Sequence, residues 1–252
     1  MKLNLNMDVQ FKILIIFHHL MLISLFFIDW SAAWILIIFI GWILFGKIGG
    51  EVGFHRLFAH RSFKTSLWKE HVLLILGSLN CLGSSYGWCG THRIHHRYSD
   101  TIKDPQSPHY YKWYNIWLVN WIPVKFTPSL VKDLLDNKWH IFLHRYYFLF
   151  VMLIYTVVCI IDFKIAIFLI SASAVWTFHT SSLLVDIVCH KWGYRNFETT
   201  DKSTNNTWVN ILMLGSGLHN NHHANSNSPF YKVKKWEWDL PGWFIKHFLI
   251  IK

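Results

Sequence analysis

The run AAWILIIFIGWILFG, residues 32–46, does not close on a polar turn but continues as KIGGEVGFHRLFAH, residues 47–60. An apolar stretch of this length is read as a helix that can cross a bilayer. Its continuation delivers His55 and His60 just past the apolar part. One helix is therefore expected to join a membrane segment to metal-ligating side chains, and the rest of the chain is read outward from that junction.

Upstream lies a first apolar run, FKILIIFHHLMLISLFFI (residues 11–28), separated from it by the turn DWS. The two runs read as a transmembrane hairpin. Downstream, YYFLFVMLIYTVVCIID (146–162) and IAIFLISASAVWTFHTSSLLVDIVCH (165–190) read as a second. The run LWKEHVLLILGSLNCLG (67–83) is apolar but interrupted, and is expected as a helix lying on the membrane surface. The region 90–144 is polar and aromatic, holds Pro105, Pro108, Pro123 and Pro128, and is expected to fold in the cytosol, as is the tail from Lys191. The expected architecture is an all-α membrane protein with one domain over 1–252. Four spans (11–28, 32–48, 146–162, 165–188) stand in two hairpins under a cytosolic histidine-rich cap (49–145 and 189–252) that holds a dimetal site.

Composition agrees. Of the 252 residues 53% are hydrophobic and only 15% charged, where soluble domains carry about 25%. The formal charge of +10 is explained by the positive-inside rule, which counts Lys and Arg in cytosolic loops. The two short turns hold Asp29, Asp162 and the single cation Lys164. Nearly all other Lys and Arg accompany the histidines, so both termini and every histidine motif are expected in the cytosol, beneath a bacterial inner membrane or, in a eukaryote, the endoplasmic reticulum. No nucleic-acid motif is present. Cys81, Cys89, Cys159 and Cys189 include no C-x-x-C pair and are expected as free thiols. The first apolar run lacks a small-residue cleavage site and is not read as a signal peptide.

The histidines are patterned. THRIHH carries His92, His95 and His96, and LHNNHH repeats the spacing with His219, His222 and His223. On a helix advancing 100° per residue, H-x-x-H-H puts its side chains at about 0°, 300° and 40°, a fan of about 100° on one face. Two such fans can enclose one site or two adjacent metals. His55 and His60 differ by about 140° on a regular helix, so they share a site only where the helix distorts or ends; Gly49, Gly50 and Gly53 just before them favour a bend. His190 ends the fourth span, with Asp186 one turn earlier on the same face. The remaining histidines, His18, His19, His71, His109, His140, His144, His179 and His247, are expected in ordinary structural roles. Imidazole suits Zn, Cu, Fe and Ni alike. A nitrogen-rich dinuclear site at a membrane surface, beside an apolar tunnel, suits oxygen activation against an unactivated C–H bond.

GFHRLFAHRSFK, HRIHHRYSD, CHKWGYRNFETTDKSTN and GLHNNHHA together resemble the membrane fatty-acid desaturases of the acyl-CoA or acyl-lipid Δ9 type, in their bacterial branch. The resemblance runs over residues 46–228. It implies two irons (Fe2+/Fe3+) held by His55, His60, His92, His95, His96, His190, His219, His222 and His223; Asp186, a departure from the family pattern, is expected as a further ligand. It implies O2 as co-substrate, a CoA- or lipid-linked acyl chain, and electrons from a separate ferredoxin- or cytochrome b5-type donor and its reductase. Two departures stand out. Relatives usually carry Asn where this chain has Asp186, and often Gly-Glu-Gly where it has GSG with Ser216. A lipid or alkane hydroxylase shares the histidine boxes, and the fate of the substrate radical separates the two outcomes. A metal transporter would hold its ligands at mid-membrane along a path. Arg56, Arg93, Arg97, Lys103, Lys112 and Lys125 are possible contacts for an acidic acyl carrier, against the plainer reading of a basic lipid-facing surface.

Overall fold

A computed structural model describes residues 7–118 and 124–251; Pro123 lies outside them. Helices dominate, and among the described residues no β-strand forms, only isolated bridges pairing Asn205 with Tyr194 and with Leu218. The helices that bear on the site are α1 (Val9–Phe27), α2 (Ala32–Ala59), α3 (Leu67–Leu79), α4 (Ser85–Tyr98), α5 (Trp113–Trp117), α6 (Lys138–Arg145), α7 (Tyr147–Ile161), α8 (Phe163–His190), α9 (Thr207–Leu212), α10 (His219–Ala224) and α11 (Leu240–Phe244). Three of them, α1, α2 and α8, are long and apolar enough to cross a membrane. A fourth crossing exists if α6 and α7, bent by 77° at their junction, act as one broken span.

The contacts divide the chain into two units. The first holds the described residues up to Phe54, Glu70–Cys89 and Val131–Phe178. Leu14 of α1, Phe45 of α2, Leu79 of α3, Tyr147, Val151 and Tyr155 of α7, and Ile170 of α8 form its main apolar core. A smaller cluster sets Ile28 against Ile167 and Phe168. Small residues allow close helix approach here: a Cβ on Gly41 would run into the Leu169 carbonyl, and one on Gly49 into the backbone of Leu76 and Gly77. Asp162 caps α8, accepting from the Lys164 amide at 2.7 Å, as a side-chain oxygen at a helix start should.

Several histidines inside this unit have polar or aromatic neighbours. His18 is fully buried, its Nδ1 2.9 Å from the Ser171 hydroxyl, which in turn reaches the Tyr155 hydroxyl. His140 lies 2.7 Å from Ser85 Oγ and His144 2.9 Å from Ser84 Oγ. His19 contacts the Ile15 carbonyl, and His71 packs on Trp139. None of the chain's four cysteines is in a disulfide; Cys159 is half-buried and the others are buried.

The second unit comprises His55–Lys69, Gly90–Leu130 and the residues from His179 onward. Its buried apolar side chains include Phe58, Ile116, Val209, Leu218 and Ile245, and its site is organised around histidines and their hydrogen-bond partners.

Candidate metal centre

Local helix geometry settles how each histidine points. From Trp42 onward α2 adopts π-helical hydrogen bonding, in which each amide reaches five residues back. The last such bond runs from the His60 amide to the His55 carbonyl at 3.1 Å. This brings His55 and His60, which a regular helix would splay apart, onto one face, with ring centroids 4.9 Å apart. The helix then stops: Arg61 takes a left-handed conformation (φ 52°), and the Arg61 and Ser62 amides cap the carbonyls of Leu57 and Arg56.

The two H-x-x-H-H fans do not each converge on one point. Their nitrogens sort into two groups: His55, His60, His92, His96 and His222 in one, and His95, His190, His219 and His223 in the other. Helix angle is the reason. Within α4, His92 and His96 are about 40° apart while His95 lies about 60° to the other side. Within α10 the pair is His219 and His223, and His222 is the outlier. Each helix gives its i, i+4 pair to one group and its middle histidine to the other, in opposite sense. The groups abut, with the rings of His96 and His223 stacked 4.3 Å apart.

Carboxylates fix the orientation of the second group. His190 Nδ1 lies 2.8 Å from Asp100, His95 Nδ1 3.0 Å from Asp104, and His223 Nδ1 2.9 Å from Asp201. A neutral imidazole has a single N–H, so donation from Nδ1 leaves the Nε2 lone pair for a metal. The aspartates are themselves held. Asp100 accepts from the Lys202 amide and the Ser107 hydroxyl, Asp104 from the amides of Asp100 and Gln106, and Asp201 from the Ser203 amide and the Thr199 hydroxyl. Burial would raise the Asp100 carboxyl, but His190 first, then the Lys202 amide and the Ser107 hydroxyl, bring it down to about 2. Burial, then the neighbouring imidazoles, hold His92, His96, His219 and His222 well below the ordinary histidine range. Burial lowers His223 to about 4 against the pull of Asp201. Burial also opposes protonation of His95, but Asp104 outweighs it and raises the pKa.

These residues fit metal ions. His190 Nε2 and His219 Nε2 are 2.9 Å apart, His55 and His222 3.0 Å, His96 and His222 2.9 Å, and His60 and His92 2.8 Å. Two nitrogens bound at right angles to one ion, each at about 2.1 Å, would be about 3 Å apart. Buried Nε2 atoms of His95 and His223 have no hydrogen-bond partner in the protein, although buried polar atoms nearly always have one. A cation facing each group satisfies them all.

Asp186 stands outside both histidine groups; its Oδ2 accepts from Gln106 Nε2 at 2.9 Å. Through Gln106, whose amide donates to Asp104, it joins the network behind His95. The other histidines of this unit also lie outside the groups. His109 Nε2 is 2.8 Å from the His190 carbonyl, His247 contacts the Trp243 carbonyl, and His179 packs on Trp117.

The support of α10 was not apparent from the sequence. Asn220 Oδ1 accepts from the amides of Asn196 and Phe197. Asn221 donates to the Tyr231 carbonyl and to Glu237, and accepts from Asn196 and Asn205. Glu237, 1% exposed, also takes the Tyr194 hydroxyl and the amides of Val233 and Lys234. So a carboxylate does reach the third box, from the tail rather than from position 216. The tail is fastened by Arg56, a fully buried side chain. Its guanidinium forks onto Asp239 with two 2.9 Å bonds, donates to the Pro229 carbonyl at 2.7 Å and stacks 3.7 Å from the centre of the Tyr231 ring. Tyr231 in turn packs 4.7 Å from the His222 ring. Arg56 is therefore no contact for an acyl carrier. Arg93 is committed as well, to the carbonyls of Phe58, Ala59 and Leu130.

Comparison with known proteins bears on the same residues. A family model described as fatty acid desaturase matches residues 28–247. The chain is 36% identical over 216 residues to an sn-1 stearoyl-lipid 9-desaturase of Anabaena variabilis, covering 84% of this chain and 78% of that one. It is 35% identical over 228 residues to the protein of the same name in Synechocystis, covering 87% and 70%. It is 33% identical over 242 residues to an sn-2 palmitoyl-lipid 9-desaturase of Nostoc, covering 92% and 83%.

Proposed function

The chain belongs to the fatty acid desaturase family, and from that premise we propose that it removes two hydrogens from a saturated, lipid- or CoA-linked acyl chain to leave a cis double bond at Δ9. The observation that carries this reading is the division of nine histidines into adjacent groups of five and four. Iron held by His55, His60, His92, His96 and His222, and by His95, His190, His219 and His223, would supply the O2 activation that an unactivated C–H bond requires. The balance is one acyl chain, one O2, two electrons and two protons in, and one monoene and two waters out.

The chain's own residues prepare this chemistry. Burial keeps the imidazoles of His92, His96, His219 and His222 neutral and so available as ligands. Asp100, Asp104 and Asp201 hold three rings with Nε2 turned inward. Asp186, tied to Gln106 outside both histidine groups, would add a carboxylate as a tenth ligand. The proposal includes a four-span, two-hairpin membrane topology with the histidines and both termini in the cytosol, in a single functional domain, and a separate ferredoxin- or cytochrome b5-type donor.

Expression in a host unable to make unsaturated fatty acids, with products located by gas chromatography and mass spectrometry, tests the reading. A Δ9 monoene that disappears in His95→Ala is the expected result. A hydroxylated chain instead would assign the protein to oxygen insertion.

A further inference from the structure

A cavity of about 350 Å³ is lined in part by His60, a member of the five-histidine group. Its wall includes Arg61, Arg93, Arg97, Ser129 and Asn227. Three arginines, charged at any working pH, thus line the same cavity as one imidazole of the five-histidine group. His60 Nε2 is 2.8 Å from His92 Nε2, so the ring that lines the cavity also touches the next member of the group.

The chemistry of this wall selects its partner. A phosphate would be held by guanidinium nitrogens forking onto its oxygens. Arg93 donates from Nε, Nη1 and Nη2 to backbone carbonyls at 2.9, 2.7 and 2.7 Å, so it contributes field rather than a fork. Arg61 and Arg97 are exposed at the ends of α2 and α4. A positive field around an open recess steers a negatively charged surface and sets its orientation. Electron transfer falls off exponentially with distance, and His60 is a ligand edge that a docked protein can approach.

We propose that this arginine-lined recess is where an acidic one-electron donor protein docks, passing electrons through the His60 ring to the five-histidine group. The proposal rests on the diiron reading above. In each docking the donor's reduced centre loses one electron and the iron at the five-histidine group goes from ferric to ferrous, so two dockings supply the two electrons of a turnover.

The test uses the full chain in lipid nanodiscs, with an acidic [2Fe–2S] ferredoxin as probe. Binding of the oxidised ferredoxin is titrated, and bleaching of the iron absorption is followed separately with reduced ferredoxin and with reduced methyl viologen, a small cation. Arg97→Glu should weaken ferredoxin binding about tenfold or more, and Arg61→Asn, whose new residue tolerates the left-handed backbone, by less. Both should slow reduction by ferredoxin while iron content and viologen bleaching hold. Lys232→Glu, the same charge change at an exposed site outside the recess, should shift binding less than twofold. Salt should weaken wild-type binding. Wild-type affinity in both arginine variants overturns the proposal. So does a raised requirement for acyl lipid with donor binding intact, which would make the recess a headgroup site. So does a wild type that holds two irons but does not bind ferredoxin. A wild type without iron would instead defeat the diiron reading, and the binding titration would still judge the recess.

Discussion

α4 and α10 carry the same H-x-x-H-H spacing and divide it by the same helix angles, yet they are held in opposite ways. α4 has 14 residues and α10 has six. A helix as short as α10 has no stability of its own in water. Its shape is imposed from outside, by the hydrogen bonds of Asn220 and Asn221, by Glu237, and by the tail that Arg56 and Asp239 fasten. α4 is a regular helix whose three ligands follow from its own geometry. The difference teaches that spacing fixes which histidines go together, while rigidity is supplied separately for each fan.

That contrast can be broken most forcefully at the tail. Asp239→Ala strands the buried Arg56 charge, and losing one partner of a buried pair costs about 3–5 kcal/mol. The variant should accumulate poorly and melt early in detergent, and Arg56→Met with Asp239→Leu should recover most of the loss. Next, Asn221→Ala should cost about 2–3 kcal/mol, since it leaves buried partners unsatisfied. It should also lower iron content, measured by plasma mass spectrometry. Asp201→Asn behind α10 and Asp104→Asn behind α4 should each weaken iron affinity about 10–100-fold in a chelator competition, without loss of fold. The smallest effect is expected at the start of α4. Ser85→Ala removes the contact to His140 and should cost about 1 kcal/mol in the same melting assay, with iron content unchanged.

Much of this was legible in the sequence. The apolar runs located the long helices, and the continuation of α2 past its apolar part to Ala59 was legible as well, whereas the 77° bend between α6 and α7 was not. The positions of about 0°, 300° and 40° already contained the division of each fan, because two of the three angles are closer to each other than to the third. What the spacing does not contain is the backbone state of residues 42–59. Only π-helical bonding makes His55 and His60 neighbours, and no residue type announces it. The supporting aspartates were a missed signal of a different kind. A metal-binding histidine needs a partner for its other nitrogen, and Asp100 and Asp104 follow the second box while Asp201 lies between His190 and the third. Glu237, Asp239 and Arg56 were not legible, since their pairing joins residues up to 183 positions apart.

The central claim, two adjacent metals held by five and four histidines, is tested most directly by Mössbauer spectroscopy on the purified, iron-57-loaded chain, with iron counted per polypeptide. The account predicts two irons per chain and two distinct quadrupole doublets, matching the unequal ligand groups. One iron per chain, or a single histidine-poor environment, would contradict it.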